Sequence, residues 1–317
     1  MEHTVIKSMT DRIKENLQTV MVGKDEVMDL LLVALLSSGH VLLEDVPGTG
    51  KTMLAKALAR SVGGTFKRIQ FTPDLLPSDL SGINFFNQKQ SEFEFRPGPL
   101  FANVVIADEI NRATPRTQSS LLECMEERQI SIDGVTRELE RPFLVMATQN
   151  PIDNQGTFPL PEAQLDRFLV RIRMGYPSTE EALAILTRFS GANPMDGLQP
   201  AADRADLAEA QKEIGRIRVA EDLLRYIVAI VEATRTHPEV ALGVSPRGSQ
   251  ALLKASQAYA VLRGRDYVLP DDVKAVAKPV LAHRLLCRQQ IRSGPAPAEA
   301  VVDSVLRATA VPAEALS

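Results

Sequence analysis

The sequence predicts an α/β fold in which helices cover both faces of a parallel sheet, followed by a smaller all-helical domain. Short, almost wholly apolar segments alternate with helical patterns in the first part of the chain, as expected for strands buried on both faces. After Pro177 the apolar residues follow helical spacing alone. The length of 317 residues fits two domains, which we expect to span residues 1–176 and 177–317.

The first domain has its elements in a regular order. Two helices are predicted over residues 5–17 and 25–36, before a short strand at 41–43, a glycine-rich loop at 45–52 and a helix at 53–62. Further strands are expected at four apolar segments, residues 66–71, 104–107, 143–147 and 168–172.

Two segments of this domain alternate apolar and polar residues around a polar turn. They are residues 84–95 (NFFNQKQSEFEF) and 129–139 (QISIDGVTREL), and both are predicted as inserted β-hairpins. In the second domain we expect the chain from Gly294 to fray, because it is rich in alanine and proline. Helices are expected to begin near Thr179, Ala202, Ala220, Pro246 and Pro270.

Composition limits the classes of function. Hydrophobic residues make up 44% and charged residues 24%, which is typical of a soluble globular protein and argues against disorder and stable membrane insertion. The net charge of -4 gives no overall basic surface for nucleic acid. The N-terminus lacks a secretory pattern, and Cys124 and Cys287 have no metal-ligand spacing, so we expect reduced thiols and a cytoplasmic location.

The segment VLLEDVPGTGKTMLAKAL places glycines, Lys51 and Thr52 between a strand and a helix, as a phosphate-binding loop requires. Backbone N–H groups and the helix N-terminus would face the phosphates, Lys51 would reach the β and γ phosphates, and Thr52 would ligate magnesium. Asp45 stands where the strict pattern has its first glycine. The alternative is a glycine-rich connector with a chance lysine.

Polar residues follow two of the later strands. Asp108 and Glu109 end an aliphatic strand, where one acid can hold magnesium through water and the other can polarise the attacking water. Asn150 follows the strand at 143–147 and could orient that water. The alternatives are a solvated acidic turn and, for Asn150, a turn residue that satisfies local backbone before Pro151.

The sequence resembles the AAA+ ATPases and, more narrowly, the MoxR family. Six motifs carry the resemblance, in the family order and across most of the chain: LLEDVPGTGKT (42–52), ADEINRA (107–113), ATQNP (147–151), PLPEAQLDRF (159–168), GYP (175–177) and SPR (245–247). The resemblance implies a P-loop NTPase sheet with hairpin inserts and a helical lid, and it implies ATP and Mg²⁺ as cofactors.

The resemblance also implies a role for individual residues. Asp108 and Glu109 would form Walker B, with Thr52 and Asp108 as magnesium ligands, and Asn150 would be sensor 1. The lid arginine Arg247 would be sensor 2, reaching back to the phosphates, while the Val-Gly step at 22–23 matches the adenine-contacting linker. The implied nucleotide-binding residues are Val22, Gly23, Pro47, Gly48, Thr49, Gly50, Lys51, Thr52, Met53 and Arg247.

Arg167 is implied as an arginine finger that acts on the nucleotide of the neighbouring subunit. Arg171 and Arg173 are rivals, although their place on a strand favours sheet-face residues. The plain alternative for Arg167 is a surface ion pair with Asp166 or Glu162, and for Arg247 an ordinary surface arginine.

We therefore expect a ring-shaped hexamer that hydrolyses ATP and remodels a client protein. The MoxR resemblance implies a partner with a von Willebrand factor A domain and a chaperone-like role that includes metalloenzyme maturation. The hairpins are expected to face a pore or a partner. One alternative is a nucleic-acid motor of the helicase type, against which the acidic balance argues. The other alternative is a nucleotide-binding scaffold that does not hydrolyse ATP, and the joint presence of Lys51, Glu109 and Arg167 argues against it.

Overall fold

The computed structural model describes residues 1–44, 48–149, 156–191, 193–288 and 297–312. Helices α1 (His3–Val20) and α2 (Asp25–Leu36) precede strand β1 (Val41–Glu44), and helix α3 (Lys51–Ser61) follows the glycine-rich loop. Helix α2 is apolar on almost all sides, and its second half is fully buried. No helix within these ranges combines the length and apolarity needed to cross a membrane.

The sheet has five parallel strands in the order β2-β5-β8-β1-β9. Besides β1, they are β2 (Phe66–Gln70), β5 (Val104–Asp108), β8 (Leu144–Gln149) and β9 (Val170–Ile172). All five predicted strands are thus confirmed. Because every strand runs the same way, their carboxyl ends lie at one edge of the sheet and their amino ends at the other.

Successive side chains of the strands enter two separate cores. In β1, Val41 and Leu43 pack with α1 to α3, whereas Leu42 faces the opposite core. Helix α5 (Pro115–Glu127) covers that second face through side chains that include Leu121 and Met125. The sandwich of helices on both faces is therefore as predicted.

Both predicted hairpins are present. The first pairs β3 (Gly82–Asn87) with β4 (Glu92–Pro97), after the short helix α4 (Pro77–Ser81), and the second pairs β6 (Gln129–Ile132) with β7 (Val135–Glu138). The two contact each other, because Asn84 Nδ2 donates to Asp133 Oδ2 at 2.7 Å and the Arg137 guanidinium lies 4.0 Å from the Phe95 ring centre. We call these two contacting hairpins the hairpin unit.

The second part of the chain is the predicted helical lid. After the one-turn helix α6 (Glu162–Leu165) and β9, its helices are α7 (Thr179–Phe189), α8 (Arg204–Glu213), α9 (Glu221–Thr236), α10 (Pro246–Leu262), α11 (Pro270–Leu281) and α12 (Pro297–Ala308). A short antiparallel ribbon, β10 (Val240–Leu242) with β11 (Leu286–Cys287), adds to them. The lid core is continuous with the core beneath α1 and α2. The division at residue 176 stays a prediction.

One expectation is wrong. Instead of fraying, residues 297–308 form helix α12, which buries Val301, Val302 and Val305. The valines recur at positions i, i+1 and i+4, so one face of the helix packs against the lid, whereas Ala300 and Ala308 are exposed. Residues 289–296, which include Gly294, lie outside the described ranges.

Candidate functional site

The glycine-rich loop leads directly into helix α3. Gly48 and Gly50 have φ angles of 87° and 89°, a left-handed conformation that glycine adopts without steric cost. Gly50 is the N-cap of α3, so the first N–H groups of the helix have no partner within the helix and face the loop. Asp45 and Pro47 lie outside the described residues.

The acidic pair lies at the carboxyl end of β5, beside the loop. Asp108 is nearly buried and accepts a hydrogen bond from Arg68 Nε at 2.6 Å. Thr148, at the end of β8, joins the pair: its Oγ1 accepts from the Glu109 N–H at 2.9 Å and donates to Asp108 Oδ1 at 3.3 Å. One hydroxyl therefore fixes both acidic residues relative to the neighbouring strand.

Glu109 has a backbone conformation that few side chains adopt. Its φ of 57° lies in the left-handed region, which turns the chain sharply away from β5. The same carboxylate oxygen, Oε2, lies 3.0 Å from Gln70 Nε2 and 3.0 Å from Arg112 Nε. These contacts hold a half-exposed carboxylate at the mouth of a cleft.

The loop and the acidic pair together enclose this cleft, which has a volume of about 380 Å³. The sequence-predicted residues Lys51, Thr52, Met53, Asp108 and Glu109 come together here. The complete described lining is Gly48, Gly50, Lys51, Thr52, Met53, Arg68, Gln70, Asp108, Glu109, Thr148 and Gln149. The predicted water-orienting residue Asn150 lies outside the described residues, directly after Gln149.

The donor set of the cleft fits magnesium. Thr52 offers a hydroxyl oxygen and Asp108 a carboxylate, the hard ligands that Mg²⁺ prefers. The described part of the chain contains no cluster of three His, Cys, Asp or Glu side chains that could enclose a metal by itself. This is the expected pattern for Mg²⁺, which commonly binds through one or two protein oxygens together with phosphate oxygens and water.

The predicted adenine linker, Val22 and Gly23, adjoins the loop. A Cβ atom on Gly50 would lie 3.2 Å from the Met21 methyl group, so Met21 packs against the loop. Helix α7 closes the other side, where Arg188 donates to the carbonyl groups of Gln18, Thr19 and Met21. The linker therefore lies between the glycine-rich loop and the first lid helix.

Arg167 lies at the opposite edge of the sheet. It precedes β9, and two residues further on the Leu169 N–H donates to the carbonyl of His40, just before β1. The four residues of β1 span roughly 13 Å, which separates this edge from the glycine-rich loop of the same chain. The ion-pair partner of Arg167 is Glu126 of α5, at 3.2 Å, rather than the Asp166 or Glu162 considered above.

The position of Arg247 corrects the expectation that its side chain reaches the phosphates of its own chain. The first turn of α10 carries it to the same edge as Arg167, where it pairs with the other carboxylate oxygen of Glu126. The reason is the N-cap residue Ser245, whose hydroxyl donates to Asp166 Oδ2 at 2.8 Å and so fixes the start of α10 beside the finger segment. In this structure Arg247 lines a pocket with Arg167 and does not reach back to the phosphate cleft of its own chain.

Arg171 and Arg173 have structural partners. Arg171 lies on β9 and Arg173 directly follows it. Their guanidinium groups lie 3.3 and 3.4 Å from Glu44 Oε2, and both also contact Glu299 of α12. Four charges therefore join the edge strand, the end of β1 and the last helix. Arg171 is therefore a strand residue, as interpreted from the sequence, whereas Arg173 lies one position beyond the end of the strand.

Several site residues were not among the sequence predictions. Arg68 and Gln70 come from β2, and Thr148 from β8. Gln70 could have been predicted from the strand register, which places it opposite Asp108. That register can be worked out only when the order of the strands in the sheet is known. Glu126 gave no signal, because its role depends on where α5 ends relative to two distant arginines.

The sheet order, with the glycine-rich loop following a strand flanked on both sides, identifies a P-loop ATPase of the AAA+ class. The model of the ATPase family associated with various cellular activities (AAA) matches residues 40–170, and the AAA lid domain model matches residues 232–305. The fold also matches the crystal structure of a candidate ATPase from Cytophaga hutchinsonii, with a TM-score of 0.91 and 37% identity over 98% of both chains.

Named relatives narrow this class. The chain is 46% identical to Chaperone MoxR1 of Mycobacterium tuberculosis over 92% of this chain and 80% of the relative. It is 37% identical to Protein MoxR of Paracoccus denitrificans, over 85% and 86%, and 53% identical to the uncharacterized protein YeaC of Bacillus subtilis, over 95% and 94%. The protein belongs to the MoxR family of AAA+ ATPases.

Proposed function

We propose that this protein hydrolyses ATP in a ring of identical subunits and uses the cycle to remodel a client protein. The observation that carries the proposal is the division of charged groups between two edges of one sheet. The cleft collects Lys51, Thr52, Asp108 and Glu109, while Arg167 and Arg247 lie together at the far edge.

Within the cleft each residue has a distinct task. Lys51 and the first N–H groups of α3 bind the phosphates, and Glu109 accepts the proton of the attacking water. Asp108, with Thr52, binds Mg²⁺, which when bound neutralises phosphate charge. Asn150 orients the water, and Val22 with Gly23 contacts the base, both as the family resemblance implies.

The far edge supplies what the cleft lacks. A phosphoryl transition state is stabilised by an additional arginine, and Arg167 and Arg247 are too far along the sheet to reach their own cleft. Both would act on the nucleotide of an adjacent subunit, with a hexamer as the expected closed ring. This trans role replaces the expected return of Arg247 to its own phosphates.

The hairpin unit supports a protein partner. Phe86 and Phe93 form an edge-to-face pair with exposed fractions of 51% and 74%, a combination typical of contact surfaces. We propose that this surface meets a von Willebrand factor A domain protein or a client in metalloenzyme maturation, as the family resemblance implies. A cytoplasmic location agrees with the two free cysteines, because thiols stay reduced there. The proposed domain boundary at residue 176 would separate the nucleotide site from the lid.

Two variants test hydrolysis. Lys51→Ala removes a phosphate contact and should weaken ATP binding, whereas Glu109→Gln removes the proton acceptor and should leave ATP bound but uncleaved. Phosphate release and equilibrium binding of ATP separate these effects. Glu127→Gln, an exposed acidic position on α5, is the control. Turnover by Glu109→Gln at the unmutated rate would overturn the assignment, and stimulation by DNA would favour the nucleic-acid motor.

A further inference from the structure

A buried lid arginine holds the segment that carries Arg167. Arg284 ends the 3-10 turn Ala282–Arg284 after α11, and only 2% of its side chain is exposed. Its Nε donates to Asp166 Oδ1 at 2.7 Å, and its Nη2 donates to the backbone carbonyls of Asp166 and Phe168 at 3.2 and 2.6 Å. Its Nη1 donates to the carbonyl of Leu169 at 3.1 Å.

These contacts flank Arg167 on both sides. The carbonyls of Asp166 and Phe168 belong to the residues immediately before and after it, so one guanidinium fixes the backbone from which the Arg167 side chain projects. The planar fork of arginine suits this task, because its five N–H donors keep a fixed geometry that lysine cannot reproduce.

The start of α10 joins the same arrangement. The carboxylate of Asp166 accepts from Arg284 on one oxygen and from the Ser245 hydroxyl on the other. A Cβ on Gly248 would lie 3.1 Å from Arg284 Cδ and 2.3 Å from a Val244 methyl, so the glycine provides the space for this approach. Two separate parts of the lid therefore converge on the residue next to Arg167.

We propose that Arg284 is a positioning residue for Arg167, and that it couples the orientation of the lid to the placement of the finger offered to the neighbouring subunit. The inference rests on the proposed trans role of Arg167. Its physical basis is that a lid movement carries Arg284, and with it the backbone on both sides of Arg167.

The main variant is Arg284→Lys, which keeps the charge and loses the fork. We expect ATP binding within about threefold of the unmutated protein, and turnover reduced by about 10- to 100-fold, the loss typical of a reacting group displaced by about 1 Å. The matched control is Arg265→Lys. Arg265 contacts both oxygens of the buried Asp272 at 2.6 Å within the lid, so the control likewise keeps the charge and loses a two-pronged contact, but away from the finger segment.

Mixed assemblies separate positioning in trans from damage to the lid. Arg284→Lys subunits have an intact cleft, so Glu109→Gln subunits, which offer an intact finger, should restore turnover. Arg167→Ala subunits should not restore it, because both fingers are then defective. The reverse pattern, with rescue by Arg167→Ala and none by Glu109→Gln, would show that Arg284 serves its own cleft and would overturn the inference.

A reference mixture keeps this inference separate from the proposed function. Arg167→Ala with Glu109→Gln should regain turnover, and failure there refutes the trans finger itself. If that mixture succeeds and Arg284→Lys retains full turnover, only the inference fails. The thermal midpoint and assembly state of Arg284→Lys should match those of the unmutated protein. If they do not, Asp166→Asn, which preserves side-chain volume, takes its place in the same mixtures, and the same pattern of rescue is expected.

Discussion

The carboxyl and amino edges of the sheet differ in the balance of their charged side chains. At the carboxyl edge, acidic side chains and Lys51 surround a cleft, and Arg68 and Arg112 are occupied in orienting Asp108 and Glu109. At the amino edge, the arginines outnumber their acidic partner, because Arg167 and Arg247 share the single carboxylate of Glu126. This difference supports the proposed assembly, in which the two edges of neighbouring subunits would together form one complete site.

Arg167→Ala should produce the largest effect on this comparison. Loss of a trans arginine typically reduces turnover by about 10³-fold or more, while ATP binding depends on the intact cleft and should persist. Turnover per subunit of the unmutated protein should also rise with protein concentration, because dilution separates the edges. Steady-state ATPase assays across the assembly range measure both. A concentration-independent rate would show that each subunit works alone.

Acid should destabilise the amino edge through His40. This buried imidazole bonds the Met125 carbonyl through Nε2 at 2.9 Å, and its Nδ1 accepts from the Val145 N–H, so it is neutral. Burial lowers its pKa from 6.5 to about 4. The unfolded chain therefore binds the extra proton below pH 6.5, and stability falls as the pH approaches 4.

Between pH 7 and pH 5 this group should remove about 2 kcal/mol of the free energy of unfolding. Urea unfolding at the two pH values measures the loss. His40→Gln should reduce the pH dependence by that amount, although it should also lower stability at pH 7. The control is His237→Gln, a half-buried position in the lid. An unchanged pH dependence in His40→Gln would contradict the assignment.

Glu126→Gln should have the smallest effect and the opposite sign. Its carboxylate competes with the incoming phosphate for Arg167 and Arg247, and partly exposed ion pairs contribute about 1 kcal/mol or less. We therefore expect turnover to rise by at most about fivefold at saturating ATP. Glu127→Gln controls for the change in net charge. A decrease in turnover would instead make Glu126 a residue that orients the two arginines.

The sequence predicted the strands well because each is a short apolar segment between clear breaks. It also predicted most of the described cleft residues, since a phosphate loop is local in sequence. The sequence could not predict the grouping of Arg167 and Arg247 with Glu126, because these residues come from three elements that are far apart along the chain. Helix α12 was missed because the chain from Gly294 is rich in alanine and proline, whereas three valines within the helix determine its packing.

The strands at both margins of the sheet have a further consequence. Strand β9 is three residues long and its one arginine, Arg171, contacts Glu299 of α12, while β2 exposes Lys67 and Arg68. Short, charged margins resist the addition of further strands from other molecules. Subunits that associate would meet through side chains and loops instead of a shared backbone ladder. In the proposed ring, a subunit could therefore leave and rejoin without breaking any hydrogen bond of the sheet.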